Sequence, residues 1–146
     1  MLPTNPLLRK YKTTNLISLS IRFGEKLEKI NQLGVDFCQI FSSLSELRCL
    51  SLKLYKSSFI DSSRSLKCPW LKDASKIISD NKKLKQFTFE WDDFCFESSR
   101  STFHALCQCI RDLPQLSFLD LRFPSARSVQ DKDILTLANS KRNLKR

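Results

Sequence analysis

The chain has 146 residues, of which 41% are hydrophobic and 27% are charged, the composition of an ordinary globular domain. No uninterrupted apolar run approaches the roughly 20 residues that a membrane-spanning helix needs, and the N-terminus lacks an apolar stretch of signal-peptide length. We therefore expect an intracellular protein, cytoplasmic with the nucleus as the alternative, that enters no membrane.

The net charge of +10 lies mainly at the two ends of the chain. The first fourteen residues contain Arg9, Lys10 and Lys12 and no acidic residue. The last eight contain four basic residues and no acidic one. Chain ends are often solvated or frayed, so this excess is weaker support for a nucleic-acid partner than the total suggests.

The cysteine pattern favours reduced, packed thiols over disulfides or a metal site. No CxxC pair occurs, and the single histidine, His104, cannot complete a zinc-ligand spacing. Without an export signal, an even number of cysteines is no reason to expect a disulfide framework. We predict neither a metal nor a cofactor. The six cysteines are Cys38, Cys49, Cys68, Cys95, Cys107 and Cys109.

Taken in chain order, one apolar spacing, LxxLxLxL with aromatic residues in some places, occurs four times. Its change from a step of three to steps of two is typical of a helix end that turns directly into a strand. We predict strands near residues 16–23, 47–54, 84–91 and 116–123. Their first leucines, Leu16, Leu47, Leu84 and Leu116, define units of 31 to 37 residues.

A segment with helical spacing precedes each later copy of this pattern. We predict that Ser101 or Thr102 caps the third of these helices and that Pro114 ends it. The apolar stripes are Phe37, Ile40, Phe41 and Leu44; Leu71, Ala74, Ile77 and Ile78; Phe103, Leu106, Cys107 and Ile110; and Ile134, Leu137 and Ala138, the last before Leu144.

This repeated unit resembles the leucine-rich repeat family, in its long, helix-containing, ribonuclease-inhibitor-like form. The sequence lacks the Asn or Cys usual after the family's strand, and the third copy has Phe in place of Leu. The resemblance implies an α/β solenoid of about four repeats, with parallel strands on a concave face and helices on a convex face. One such unit cannot bury its apolar face without neighbours.

The resemblance also divides the chain. Residues 1–15 are expected to be the end of a preceding repeat or a basic N-terminal segment, and residues 16–146 the leucine-rich-repeat domain. A truncated fifth repeat is expected to start at Leu144. On this interpretation the chain is a monomer or an open-ended solenoid fragment of a longer scaffold or adaptor.

Alternation along each strand predicts which side chains face outward on the concave side. Three rows cross the four strands, and the third is a ladder of charges in the order basic, basic, acidic, basic. The rows are Ser18, Cys49, Gln86 and Phe118; Ser20, Ser51, Thr88 and Asp120; and Arg22, Lys53, Glu90 and Arg122.

We expect this face to bind a protein partner without catalysis, as the resemblance implies for leucine-rich repeats in general. The alternative is a nucleic-acid-associated protein that binds through its basic ends. Against that alternative, Glu90 and Asp120 interrupt the face, and the aromatic residues Phe87, Phe89 and Trp91 are predicted to point into the core rather than to stack on bases.

Two further patterns point only weakly to chemistry. His104 and Cys107 lie three residues apart on one predicted helix, close enough to face each other, and a Cys–His pair can act as nucleophile and base, but Cys107 belongs to the apolar stripe. The acidic residues Glu90, Asp92, Asp93 and Glu97 lack the alternating spacing and the glycine of a calcium loop. We therefore predict no enzymatic activity.

Overall fold

The computed structural model describes residues 16–23, 27–55, 70–92, 96–124, 126 and 128–140. Four strands alternate with four helices within these residues, which confirms the predicted α/β class. Residues 1–15 and Leu144, which carry two of the predicted boundaries, lie outside them. The elements are β1 (Ser18–Phe23), α1 (Leu27–Phe41), β2 (Cys49–Leu54), α2 (Trp70–Ser79), β3 (Gln86–Trp91), α3 (Phe96–Asp112), β4 (Phe118–Arg122) and α4 (Asp131–Ser140).

The strands form one open sheet in the order β1-β2-β3-β4, and every neighbouring pair is parallel. The register keeps equivalent positions of the four sequence copies side by side. Leu19, Leu50, Phe87 and Leu119 form one such row. Units of different length therefore enter the sheet at the same point.

Each strand begins two residues later than the spacing predicts, because the first leucine of each later copy belongs to the preceding turn. Leu47, Leu84 and Leu116 are all buried. In each turn the leucine amide donates a hydrogen bond to the carbonyl three residues earlier; the donor–acceptor distances are 3.2 Å for Leu47 and Leu84 and 3.4 Å for Leu116. The three-residue spacing between the first two apolar residues of each later copy therefore coincides with the end of this turn.

One carbonyl per unit fixes the register of the next unit. The carbonyl of Ile17 accepts the amides of Arg48 and Cys49, at 2.8 and 3.0 Å. The same arrangement recurs twice: the carbonyl of Arg48 accepts the amides of residues 85 and 86, and that of Lys85 accepts the amides of residues 117 and 118. The residue immediately before each strand thus sets the alignment of its neighbour.

The core lies between the sheet and the helices. Leu50, Leu52 and Leu54 of β2 and alternate aromatic residues of β3 are buried, as the predicted alternation requires. The stripes of α1, α2 and α3 are buried or half-buried, as predicted from their spacing. Consecutive helices also pack on one another along the chain order.

The contact between α1 and α2 is unusually close at Gly34. Its Cα faces the indole ring of Trp70, and a Cβ built on Gly34 would overlap that ring. Trp70 also packs edge-on against Phe37, with ring centroids 6.4 Å apart. A glycine at this position allows the tryptophan to fill the space between the two helices.

The start of α3 differs from the prediction. The helix begins at Phe96 and contains a non-helical residue, Ser99, with φ −122° and ψ 19°. The break therefore precedes Ser101 and Thr102, which lie inside the helix rather than at a cap. The predicted end is correct, since α3 stops at Asp112, two residues before Pro114.

The apolar stripe predicted for α4 is also wrong in part. Ile134 is 60% exposed, Ala138 is exposed and Leu137 is half-buried, whereas Asp133 and Ser140 are buried. Asp133 is held by Arg100 of α3, whose Nε and Nη2 donate to the two carboxylate oxygens at 3.0 and 3.3 Å. A polar link therefore joins this helix to α3, in addition to the packing of Leu137 against the core.

Candidate functional site

The twelve residues predicted to point away from the core lie on the face of the sheet opposite the helices, in the three rows given by the register. We call this set the open sheet face. Its side chains are exposed or half-buried. The structure therefore brings these residues together as a surface, while their contact with a partner stays a prediction.

The charge ladder of the third row is largely paired within the protein. Lys53 Nζ lies 3.6 Å from Glu90 Oε2, across neighbouring strands. Arg22 lies over the ring of Tyr55, with its guanidinium carbon 5.1 Å from the ring centroid, the geometry of a cation–π contact. These contacts fix the long side chains in place and reduce the charge available to a partner.

Arg122 pairs along its own strand instead of across strands. One guanidinium nitrogen lies 2.7 Å from Asp120 Oδ2, and Nε donates to both carboxylate oxygens. The hydrogen bond and charge of Asp120, aided by Glu90, raise the pKa of Arg122 above its ordinary value. The side chains of Arg122 and Asp120 are 57% and 25% exposed.

Phe118 is the exposed aromatic residue of the open sheet face. It is 51% exposed and lies beside Gln86, which is also exposed. Large aromatic side chains supply much of the binding energy where proteins meet, because they bury a large area with few rotatable bonds. Phe118 therefore offers an exposed aromatic side chain as the candidate anchor of this surface.

Two basic residues beside the open sheet face were missed in the sequence. Arg48 and Lys85 precede β2 and β3 and are exposed, and Arg48 is close enough to Glu46 to help lower the pKa of that carboxyl. The sequence does contain an indication of their position, because each follows a leucine of a turn, Leu47 or Leu84, and does not belong to the buried pattern. Together with the open sheet face they make five basic side chains against the two carboxylates of Glu90 and Asp120.

His104 and Cys107 lie in different environments. His104 is exposed, whereas Cys107 is 1% exposed and burial raises the pKa of its thiol to about 11, with Ser140 as a hydrogen-bond partner. Burial likewise raises the pKa of Cys109 to about 12 and that of Cys38 to about 11. A thiol that stays protonated near neutral pH is a weak nucleophile.

Of the acidic residues near the end of β3, the structure describes the contacts of Glu90 and Asp92. Glu90 pairs with Lys53, and the backbone amide of Asp92 donates to the carbonyl of Leu54 at 2.9 Å. Asp93 and the side chain of Glu97 lie outside what the structure describes. Across the described ranges, no three His, Cys, Asp or Glu side chains come close enough to hold a metal ion.

A groove of about 360 Å³ lies at the turns that precede β2 and β3. Several polar contacts between units cross this region. Lys82 Nζ donates to the carbonyls of Ser79 and Asp112, at 2.7 and 3.2 Å, and so contacts the C-terminal ends of α2 and α3. Asn81 donates its side-chain amide to the carbonyl of Leu44 at 3.2 Å. These groups are occupied in holding neighbouring units together.

Comparison with known proteins gives no relative. No protein-family model, curated protein or solved structure matches this chain. A search of the described helices for a segment long and apolar enough to cross a membrane also found none.

Proposed function

We propose that the chain is a leucine-rich-repeat solenoid segment that binds a protein partner, without catalysis, through the open sheet face as its concave surface. The repeated register supports the solenoid, because a single carbonyl aligns each unit with the next in the same way three times. Burial of the turn leucines supports the assignment of the sequence pattern to that repeat.

The observation that carries the binding proposal is the exposed side chain of Phe118 on a face otherwise lined by small polar and paired charged residues. Exposed basic groups at Arg48 and Lys85 lie beside the same face and favour a partner with acidic residues. An aromatic anchor with polar residues around it is a common arrangement of a protein-binding surface.

The test is capture of partners from cell lysate by three forms of the chain, compared by quantitative mass spectrometry. The first is the wild type, the second carries Arg22→Glu, Lys53→Glu and Arg122→Glu, and the third carries Phe118→Ala. We expect the two variants to lose the same proteins. Circular dichroism confirms that each variant stays folded.

The matched control reverses three exposed charges on the helices, Lys72→Glu, Lys76→Glu and Lys132→Glu, with the same change in net charge. It is expected to keep the captured proteins. Equal loss in the control would show that net charge alone attracts them and would contradict the proposal. Loss of all captured material on nuclease treatment would favour nucleic-acid association through the basic ends.

A further inference from the structure

The β4 and α4 end of the molecule exposes an apolar surface that the other units bury. In α1, α2 and α3, the residues ten, nine and six positions before the next turn leucine are buried or half-buried. In α3 these residues are Leu106, Cys107 and Ile110. The sequence equivalents in α4, counted back from Leu144, are Ile134, Leu135 and Ala138.

All three of these α4 residues are exposed, Ile134 to 60% and Leu135 to 61%. The strand beside them shows the same difference. Leu119 and Leu121 of β4 are half-buried, whereas their equivalents in β3, Phe87 and Phe89, are at most 1% exposed. Position in the repeat is the same in both cases, and among the described residues no further strand and helix cover β4 and α4.

The backbone of β4 is also ready to pair on its outer side. Phe118 donates its amide to Lys85 at 3.0 Å, so its backbone groups point toward β3. Because these groups alternate in direction along a strand, those of Leu119 and Leu121 point away from β3. β4 pairs with no further strand among the described residues. An edge of this kind is a template for another chain.

We propose that this end binds a second copy of the chain, with the two β4 strands antiparallel about a two-fold axis at Leu121. In that register Leu121 of one copy and Leu121 of the other form a hydrogen-bonded pair. It places Asp120 directly opposite Arg122 of the second copy, in the closer, non-hydrogen-bonded type of pair. Both side chains are partly exposed on β4 and carry opposite charges, so the edge is complementary to itself.

The same two-fold axis brings the α4 helices of the two copies together. Ile134 and Leu135, exposed in one copy, then pack against the same residues of the other. An interface that uses one patch twice is closed and stops at a dimer. In a head-to-tail arrangement β1 would instead meet β4 in the internal register, and Arg22 would lie beside Arg122. The charges on the edge therefore favour the two-fold arrangement.

Charge exchange on β4 tests the register directly. The Asp120→Arg variant carries arginine at both positions and opposes like charges in its own dimer, and the Arg122→Asp variant carries aspartate at both. We expect each to weaken dimerisation by about tenfold, measured by sedimentation velocity over a wide range of concentration. Mixing the two variants should restore the dimer, because each arginine then faces an aspartate of the other chain.

If mixing the two variants restores the dimer, then unfolding or loss of the ion pair within β4 is not the reason that each variant alone dimerises weakly. Neither variant can form the Asp120–Arg122 pair within its own strand, so restoration requires contact between copies. Leu135→Glu should also yield monomers, while Val35→Glu, a matched change at an exposed apolar residue of α1, should leave the dimer intact. A monomeric wild type, species larger than dimers, or a mixture no better than its components would overturn the proposal.

Discussion

The two middle strands and the outermost strand β4 carry the same sequence pattern but different environments. Leu52 and Phe89 are completely buried, while Leu121, in the same row, is only half-buried. The difference comes from the number of neighbours, because among the described strands β2 and β3 are paired on both sides and β4 on one. In a fold of stacked units an apolar side chain contributes fully to stability only when a unit lies on each side of it.

The largest expected effect follows from truncating a leucine in the middle of the sheet. We expect Leu52→Ala to lower the free energy of unfolding by about 3 kcal/mol, since it leaves a cavity in a fully enclosed site. Leu121→Ala should cost about 1 kcal/mol, because its side chain keeps part of its contact with water. Urea denaturation followed by circular dichroism measures both. Equal losses would show that β4 is as enclosed as β2.

A second comparison uses the close packing between α1 and α2. Gly34→Ala should destabilise the protein by about 2 kcal/mol, because the new methyl group overlaps the ring of Trp70 and one of the two helices must shift. Val35→Ala on the same helix is the control, since Val35 is exposed and its change should be nearly neutral. The midpoint of thermal unfolding reports both, and a neutral Gly34→Ala would mean that the helices separate easily.

At the α4 end, a polar pair adds to the apolar packing of Leu137. Asp133 accepts the amide of Gln130 at 3.0 Å as well as the two bonds from Arg100, so it also caps its own helix. We expect Asp133→Asn to lower the free energy of unfolding by about 2 kcal/mol at neutral pH. Asp131→Asn, at an exposed position of the same turn, is the control.

This effect has a defined pH dependence. The Arg100 guanidinium holds the pKa of Asp133 below its ordinary value, so the carboxylate stabilises the fold above the pKa of the unfolded chain, near 4. The contribution disappears as the pH falls through the lower pKa of the folded state. The difference between wild type and Asp133→Asn should therefore shrink in acid, and a difference that persists there would rule out the ion pair as its cause.

The smallest expected effect concerns Lys82, which touches the ends of two neighbouring helices. Lys82→Ala should cost about 0.5 kcal/mol, because a cation near helix C-terminal carbonyls is only weakly stabilising at an exposed position. The loss should decrease in high salt. Lys72→Ala, in the first turn of α2, is the matched control and should show no loss.

Much of the fold follows from the positions of Leu16, Leu47, Leu84 and Leu116 in the sequence. The rows of the sheet, the inward residues of β2 and β3 and the stripes of the first three helices depend on local spacing, which one sequence contains. The environment of Ile134 does not, because its burial depends on what lies beyond α4. The buried pair of Arg100 and Asp133 joins residues 33 positions apart, a contact that spacing alone cannot reveal.

The candidate site divides in the same way. Alternation predicts which residues point away from the core, and the register confirms how they line up across strands. Alternation does not predict that Lys53 and Glu90 pair or that Arg122 turns toward Asp120, since these contacts depend on side-chain rotamers. Arg48 and Lys85 were missed because they precede the alternating part of the pattern.

The single carbonyl that aligns each unit with the next also bears on how the sequence can change. The turns before β2, β3 and β4 are short and carry the bonds to that carbonyl, whereas the segments from strand to helix range from residues 24–26 to residues 55–69. An insertion in a turn would shift every residue that follows it in the sheet. An insertion after a strand would leave the sheet unchanged. Protein engineers could therefore graft peptides or tags after β2 or β4, and evolution has the same freedom at these places.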